Sequence, residues 1–211
     1  MKRILTLTAA AALLAVSPAN SADVYAPASS KDPITVANVL PVGAYVSVGV
    51  GGGITDTKFS NGFNIGDFGF AGFLGQVRFG YDMKLGNWVV GPIVGASWED
   101  VKGNLGGVTG NQTFGYEIGA RLGYVVNGDA LIYGLVAYQG QHIGFNNTGF
   151  ANDLYGVKLG GGLEIDMKNG FFLFSEVDDI LYNNWTPGHS LGSTVISNDE
   201  IRALAGIGKR F

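Results

Sequence analysis

From Thr113 to Tyr124 the sequence TFGYEIGARLGY alternates without a break. One face carries Phe114, Tyr116, Ile118, Ala120, Leu122 and Tyr124. The other carries Thr113, Gly115, Glu117, Gly119, Arg121 and Gly123. A helix repeats every 3.6 residues and cannot sort side chains in this way, so the segment is a strand with two chemically distinct faces.

The same sorting recurs along the chain. In 73–82, Phe73, Val77, Phe79 and Tyr81 oppose Gln76, Arg78, Gly80 and Asp82. In 155–167, Tyr155, Val157, Leu159, Leu163, Ile165 and Met167 oppose Lys158, Gly160, Gly162, Glu164 and Asp166. In 201–211, Ile201, Ala203, Ala205, Ile207 and Phe211 oppose Arg202, Gly206, Gly208 and Arg210. Segments 44–53 and 88–99 follow the pattern more weakly, 131–140 is strand-like with ambiguous faces, and 171–180 sets Glu176 and Asp178 on one side. That makes eight strands. Tight turns are expected at Leu85-Gly86-Asn87, Asn127-Gly128-Asp129 and Lys168-Asn169-Gly170, and long polar links near 54–68, 100–110, 141–153 and 181–199. Short connections at one end and long ones at the other describe an antiparallel up-and-down meander.

Two eight-stranded barrels fit such a meander, and they differ in which face points out. A soluble barrel turns its apolar face inward and studs its exterior with long polar side chains. Here the minor face is dominated by glycine, at 49, 51, 80, 91, 95, 115, 119, 123, 160, 162, 206 and 208. Glycine suits a crowded interior of small radius. The charges between these glycines are of both signs: Arg78, Arg121, Lys158, Arg202 and Arg210 with Asp82, Glu99, Glu117, Glu164, Asp166, Glu176 and Asp178. In a filled lumen they must pair, because a lone buried charge costs several kcal/mol. The expected network comprises Arg78, Glu99, Glu117, Arg121, Lys158, Glu164, Asp166, Glu176, Asp178 and Arg202. On the apolar face, aromatics gather at strand ends: Tyr81, Trp88, Tyr124 and Phe211 at the short-turn end, Trp98, Phe114 and Tyr155 at the other. Two such girdles mark the two interfaces of a membrane. The fold expected is therefore all-β, an eight-stranded antiparallel transmembrane barrel over 42–211.

The N-terminus reads as an export signal over 1–22: Lys2 and Arg3, then apolar Ile4 to Val16, then small residues ending at Ala22. Residues 23–41, with three prolines and no periodicity, read as an extended periplasmic leader. Removal of Lys2 and Arg3 leaves 11 basic side chains against 17 acidic ones, a poor balance for binding nucleic acid. No apolar run reaches 18 residues, which excludes a helical span, and the absence of cysteine removes disulfides and thiolate chemistry.

The ending Ile207-Gly208-Lys209-Arg210-Phe211, apolar at alternate positions back to Ile201, resembles the C-terminal strand of outer-membrane β-barrel proteins. The resemblance implies that the barrel assembly machinery reads Ile207 and Phe211 during insertion. Lys209 departs from it, since that family usually has an aromatic there. Over the mature chain, YVSVGVGGG, FLGQVRFGYDM, VVGPIVGASWED, FGYEIGARLGY and IRALAGIGKRF resemble the small porin-family surface antigens of alphaproteobacteria, cousins of the OmpA transmembrane domain. This implies an integral envelope protein in contact with outer-membrane lipid and lipopolysaccharide. It also implies host or phage contacts through the loops, and neither catalytic residues nor a cofactor.

Chemistry was sought on each candidate. A Ser-His-Glu lipid hydrolase would rest on His189-Ser190 and Glu200, which share one loop without that family's spacing. His142 and His189, both in or beside long links, read as solvated and make poor metal ligands. Gly49 to Gly53 lacks the Lys-Ser/Thr pair of a phosphate loop. Asp178-Asp179 and Asp199-Glu200 read as solvated rim carboxylates rather than a calcium site. Three functions remain, in order: a structural and surface-interaction barrel, a narrow channel for small solutes, and a lipid hydrolase. Eight strands enclose a bore just wide enough for side chains to fill, which excludes a wide diffusion pore.

Overall fold

Eight antiparallel strands close on themselves in the computed structural model, which describes residues 42–60, 64–105, 108–126, 129–146, 151–184 and 195–211. They are β1 (Gly43–Ser60), β2 (Asn64–Leu85), β3 (Trp88–Leu105), β4 (Val108–Val126), β5 (Ala130–Asn146), β6 (Ala151–Asp166), β7 (Phe171–Tyr182) and β8 (Val195–Arg210). Each pairs with its sequence neighbours, and β1 pairs with β8 from Tyr45↔Arg210 to Ser60↔Val195, so neither has a free edge. That closure is what lets strands lie in lipid, where no water can satisfy an open edge. The export signal and leader expected over 1–41 lie outside the described residues.

At one end the hairpins are tight. Gly86-Asn87 joins β2 to β3 with Gly86 at φ 66°, the left-handed conformation a two-residue hairpin demands. Lys168–Gly170 joins β6 to β7 through Asn169 and Gly170, also left-handed. The expected turn at 127–128 lies outside the described residues. At the other end the structure corrects the reading of long polar links. Strand pairing runs on through Thr55, Asp56, Thr57 and Lys58, through 100–105 and through 141–146. At Asp56 and His142 the outward positions lie beyond the apolar band while the buried Thr55, Thr57 and Gln141 are polar on the lumen side, so the alternation fades although the backbone ladder continues. A face pattern reports the solvent on each side, not the presence of a strand.

The apolar face points outward. Val48, Val50, Phe79, Val94, Ile118, Leu122, Val136, Leu159, Val177 and Ile207 are all exposed, and Phe73 is 78% exposed. The band has sharp limits. Along the outward positions of β1, Ile54 is followed by Asp56; β3 changes from Trp98 to Asp100, β6 from Tyr155 to Asp153, and β8 from Ile201 to Asp199. From Trp88 to Trp98, and from Ile201 to Phe211, the band is 11 residues long, the length of a tilted strand across a hydrocarbon core. Strands of 16 to 22 residues, such as β6 and β2, therefore carry their outer ends beyond the band. So large and continuous an apolar exterior is incompatible with a water-facing surface.

Inside, ring and glycine alternate between neighbouring strands. Tyr45 lies against Gly80, Tyr133 against Gly162, Phe172 against Gly208 and Phe174 against Gly49 and Gly206. A methyl group at Gly208 would overlap the Phe172 ring, which explains why glycine fills the lumen face. These rings join Val89, Ile93, Leu131 and Leu135 in an apolar floor near the turn end. The ambiguous strand 131–140 is thereby resolved: Leu131, Tyr133, Leu135 and Ala137 face the lumen, and Ile132, Val136 and Tyr138 face out.

The depth of the band predicts a graded response to a lipid-facing charge. Ile118 is near the centre of β4's outward run from Phe114 to Tyr124, so Ile118→Arg should cost about 2–4 kcal/mol of stability. Leu122→Arg, one outward position from Tyr124, should cost less. Equilibrium unfolding in lipid vesicles checks this, and equal tolerance of both changes would reverse the assignment of faces.

Candidate functional site: the charged lumen

The lumen positions carry most of the chain's polar chemistry, arranged in three tiers. In the tier nearest the turns, the Arg121 guanidinium donates twice to Asp82, with Nε to Oδ1 at 3.0 Å, and once to Glu164 at 3.0 Å. Its carbon sits 4.2 Å from the Tyr45 ring centroid. Arg210, from the last strand, donates to Glu164, to Asp166 at 2.6 Å and to Asp82 at 3.3 Å, and lies over the Phe172 ring. Two arginines thus share Asp82 and Glu164 from opposite walls of the barrel.

The middle tier joins five charged side chains. Arg78 forms a fork on Glu176 at 2.6 and 2.7 Å, and its Nε donates to Glu117 at 2.7 Å. Lys158, fully buried, donates to Glu117 at 2.8 Å and pairs with Asp178 at 2.7 Å. The Tyr133 hydroxyl donates to Glu176 at 2.8 Å. Planar bidentate pairing is what guanidinium and carboxylate do best, and it fixes geometry as well as charge.

Above it, the Arg202 guanidinium forks on Glu200 at 2.8 and 2.9 Å and meets Glu99 at 2.6 Å. The Tyr182 hydroxyl donates to Glu200 at 3.0 Å. Thr57 donates to Asn198 at 2.7 Å beyond this. Several buried atoms have no hydrogen-bond partner in the protein: the Thr55 hydroxyl, Glu99 Oε2, Gln139 Oε1, Gln141 Nε2 and Arg202 Nη1 in this outer half, Asp178 Oδ1 in the middle tier, and the Tyr45 hydroxyl and Arg210 Nε near the turns. Buried polar groups of that kind require water.

The structure places all ten residues expected in the network on the lumen face and joins each to at least one opposite charge. Three further members complete it. Asp82 and Arg210 carried the signal of face alternation. Glu200 did not, because it was read as a solvated rim residue; it is fully buried, and the outward member of its pair is Asp199. His142 is also corrected from loop to strand: it faces outward on β5, with Nδ1 2.7 Å from Asp153 Oδ1 on β6. His189 and Ser190 lie outside the described residues.

The girdle aromatics all face outward, and two cross-strand pairs pack edge to face, Trp88 with Tyr124 at 5.1 Å and Trp98 with Phe114 at 6.1 Å. On the last strand, Ile207 and Phe211 face outward, and Lys209 between them lies 5.1 Å from the Phe171 ring and 5.8 Å from the Phe211 ring. Those two rings cover the cation that departs from the usual strand signal. Outside the band, Lys58 is held by Asp56 at 2.8 Å and by Asp199 at 3.6 Å, and its hydrogen bond to Asp56 raises its pKa above the ordinary lysine value.

No family model matches the chain, and no curated protein is similar to it. Solved structures are. The outer membrane protein OprG from Pseudomonas aeruginosa is 15% identical over 82% of this chain and 98% of its own, with a TM-score of 0.49. AlkL, solved by solid-state NMR in lipid bilayers, is 17% identical over 90% and 97%, with a TM-score of 0.45. Neisserial surface protein A is 13% identical over 79% and 99%, with a TM-score of 0.46.

Removing one member of a dry, paired cluster leaves its partners charged and alone. Arg121→Ala should therefore cost about 3–5 kcal/mol, whereas Lys58→Ala, at the wet outer rim, should cost under about 1 kcal/mol. Urea unfolding of the folded barrel in vesicles measures both, and equal small costs would mean that the turn-end tier is hydrated.

Proposed function

We propose that this chain is an integral barrel of the Gram-negative outer membrane, with a structural and surface-interaction role in the envelope rather than a catalytic or conducting one. The observation that carries this reading is a conjunction: a lipid-length apolar band outside, and paired charge filling the bore. The signal-like N-terminus supports export, and the short turns then face the periplasm while the long strand ends project outward. The exposed Ile207 and Phe211 suit reading by the barrel assembly machinery. A porin-family surface antigen of the alphaproteobacterial kind is the finer identity, carried by the sequence resemblance.

The unpartnered buried polar atoms, most numerous in the outer tier, favour a second reading, a narrow channel. A solute would next meet Arg78 and Lys158 with their carboxylates, then Arg121 and Arg210, then the floor of Tyr45, Ile93, Leu131 and Phe172. Of the residues a lipid hydrolase would rest on, His189 and Ser190 lie outside the described residues, and Glu200 is bound by Arg202 inside the lumen. Host, phage and lipopolysaccharide contacts then belong to the projecting strand ends.

Two measurements test this. Membrane fractionation should recover the protein with the outer membrane, and release into soluble periplasm would refute that location. In planar bilayers the purified barrel should give no steady single-channel current; a reproducible current altered by Arg78→Ala would replace the closed barrel with the channel.

A further inference from the structure

At the outer edge of the apolar band, the exterior differs around the barrel. Where the outward faces of β7, β8 and β1 end, the apolar residues are aliphatic: Leu181, Ile201 and Ile54. On β2 and β3 they are the rings Phe73 and Trp98, and on β4, β5 and β6 rings gather in adjacent rows. Phe114, His142 and Asp153 form one cross-strand row, and Tyr116, Gly140 and Tyr155 form the row below it. Tyr138 stacks on Tyr155 with centroids 6.0 Å apart and ring planes 15° from parallel. Tyr116 lies down over Gly140, where any side chain would overlap its ring. The result is a broad aromatic platform standing open at the lipid interface, with the exposed His142–Asp153 pair along its upper edge.

A plain interfacial girdle accounts for rings pointing outward. It does not account for Tyr116 lying over a glycine, the near-parallel stack of Tyr138 on Tyr155, or a hydrogen-bonded imidazole and carboxylate directly above them. We infer that the β4–β6 face binds the hexose headgroup of a glycolipid in the leaflet around the outer end of the barrel. The ring of a hexose has an apolar C–H face, which a flat phenol platform accepts, and an edge of hydroxyls. Asp153 offers only acceptors for those hydroxyls. His142 keeps Nε2 for a second hydrogen bond, because its Nδ1 is engaged by Asp153. Charge selects against an anionic headgroup. Asp153, exposed within the site itself, repels one.

This inference rests on the outer-membrane reading, and its test uses the folded barrel in micelles so that the two can fail separately. The probe is an equimolar mixture of monoglucosyl-dioleoylglycerol and dioleoylphosphatidylcholine added to the protein in octyl tetraethylene glycol ether. Native mass spectrometry then counts the retained lipid. The wild type should keep the glucolipid over the phospholipid by about fivefold, the preference expected of one ring stack with its hydrogen bonds. Tyr138→Leu with Tyr155→Leu should bring the ratio to about one, Asp153→Asn should lower it, and Lys58→Gln should leave it unchanged. Heat-modifiable migration in SDS verifies that each variant is folded, and Asp153→Asn decides the matter if the tyrosine variant does not fold. Equal retention of the two lipids by the wild type, preference for phosphatidylcholine, or an unchanged ratio in Asp153→Asn would overturn the site. So would a dimer of the chain that the tyrosine changes dissociate.

Discussion

Five cationic side chains, Arg78, Arg121, Lys158, Arg202 and Arg210, are buried among eight carboxylates in the described lumen, of which only Asp166 is partly exposed. An eight-stranded bore has no room to hydrate that much charge. Desolvation of each ion costs several kcal/mol, and only close pairing with further hydrogen bonds offsets it. The forks of Arg78 on Glu176, Arg121 on Asp82 and Arg202 on Glu200 meet that demand, and each also reaches a second carboxylate on another strand. The network therefore acts as a set of crosslinks: Arg78 of β2 binds β4 and β7, and Arg121 of β4 binds β2 and β6. Such pairs add little net stability over an apolar core of the same shape. They make any other register expensive, because a slipped strand would bury an unmatched charge.

The exterior and the lumen depend on each other through this arrangement. Lipid outside requires that every strand edge be closed, and closure of eight strands fixes a narrow bore. The narrow bore admits rings only where the facing strand carries glycine, as at Gly80, Gly162 and Gly208. The apolar floor near the turns then surrounds the turn-end ion tier, which keeps Arg121 and Arg210 away from water and their pairing strong. Toward the outer end the glycine–ring packing gives way to Gln139, Gln141, Thr55 and Thr57, and unpartnered polar atoms are most numerous. Function at the cell surface would then rest on the exterior and the projecting strand ends, with the bore serving as a structural core.

Alternation made the architecture legible. In Thr113–Tyr124 lipid lies on one side and glycine-packed charge on the other, so every second residue reports its face. Where both faces carry polar residues the signal vanished, which is why Thr55 to Lys58 and the strand end at Gln141-His142 read as loops. Glu200 was misread for the same reason, since its neighbours Asn198 and Asp199 are polar on both faces while its own side chain is buried against Arg202. Strand 131–140 was ambiguous because its lumen face is apolar, with Leu131 and Leu135 in the floor. Pairing itself was out of reach. Sequence put Arg78 and Glu176 on lumen faces 98 residues apart, and only the closed topology sets them across the bore from each other.

The most direct test of a dry, crosslinked lumen is a double-mutant cycle on Arg78 and Glu176, read by equilibrium unfolding of the barrel in lipid vesicles. Arg78→Met alone should destabilise by about 3–5 kcal/mol because Glu176 is left charged and buried, and the double change with Glu176→Met should recover most of that loss. Costs under about 1 kcal/mol for each single change, adding simply in the double, would mean that water already fills the bore and would contradict the account.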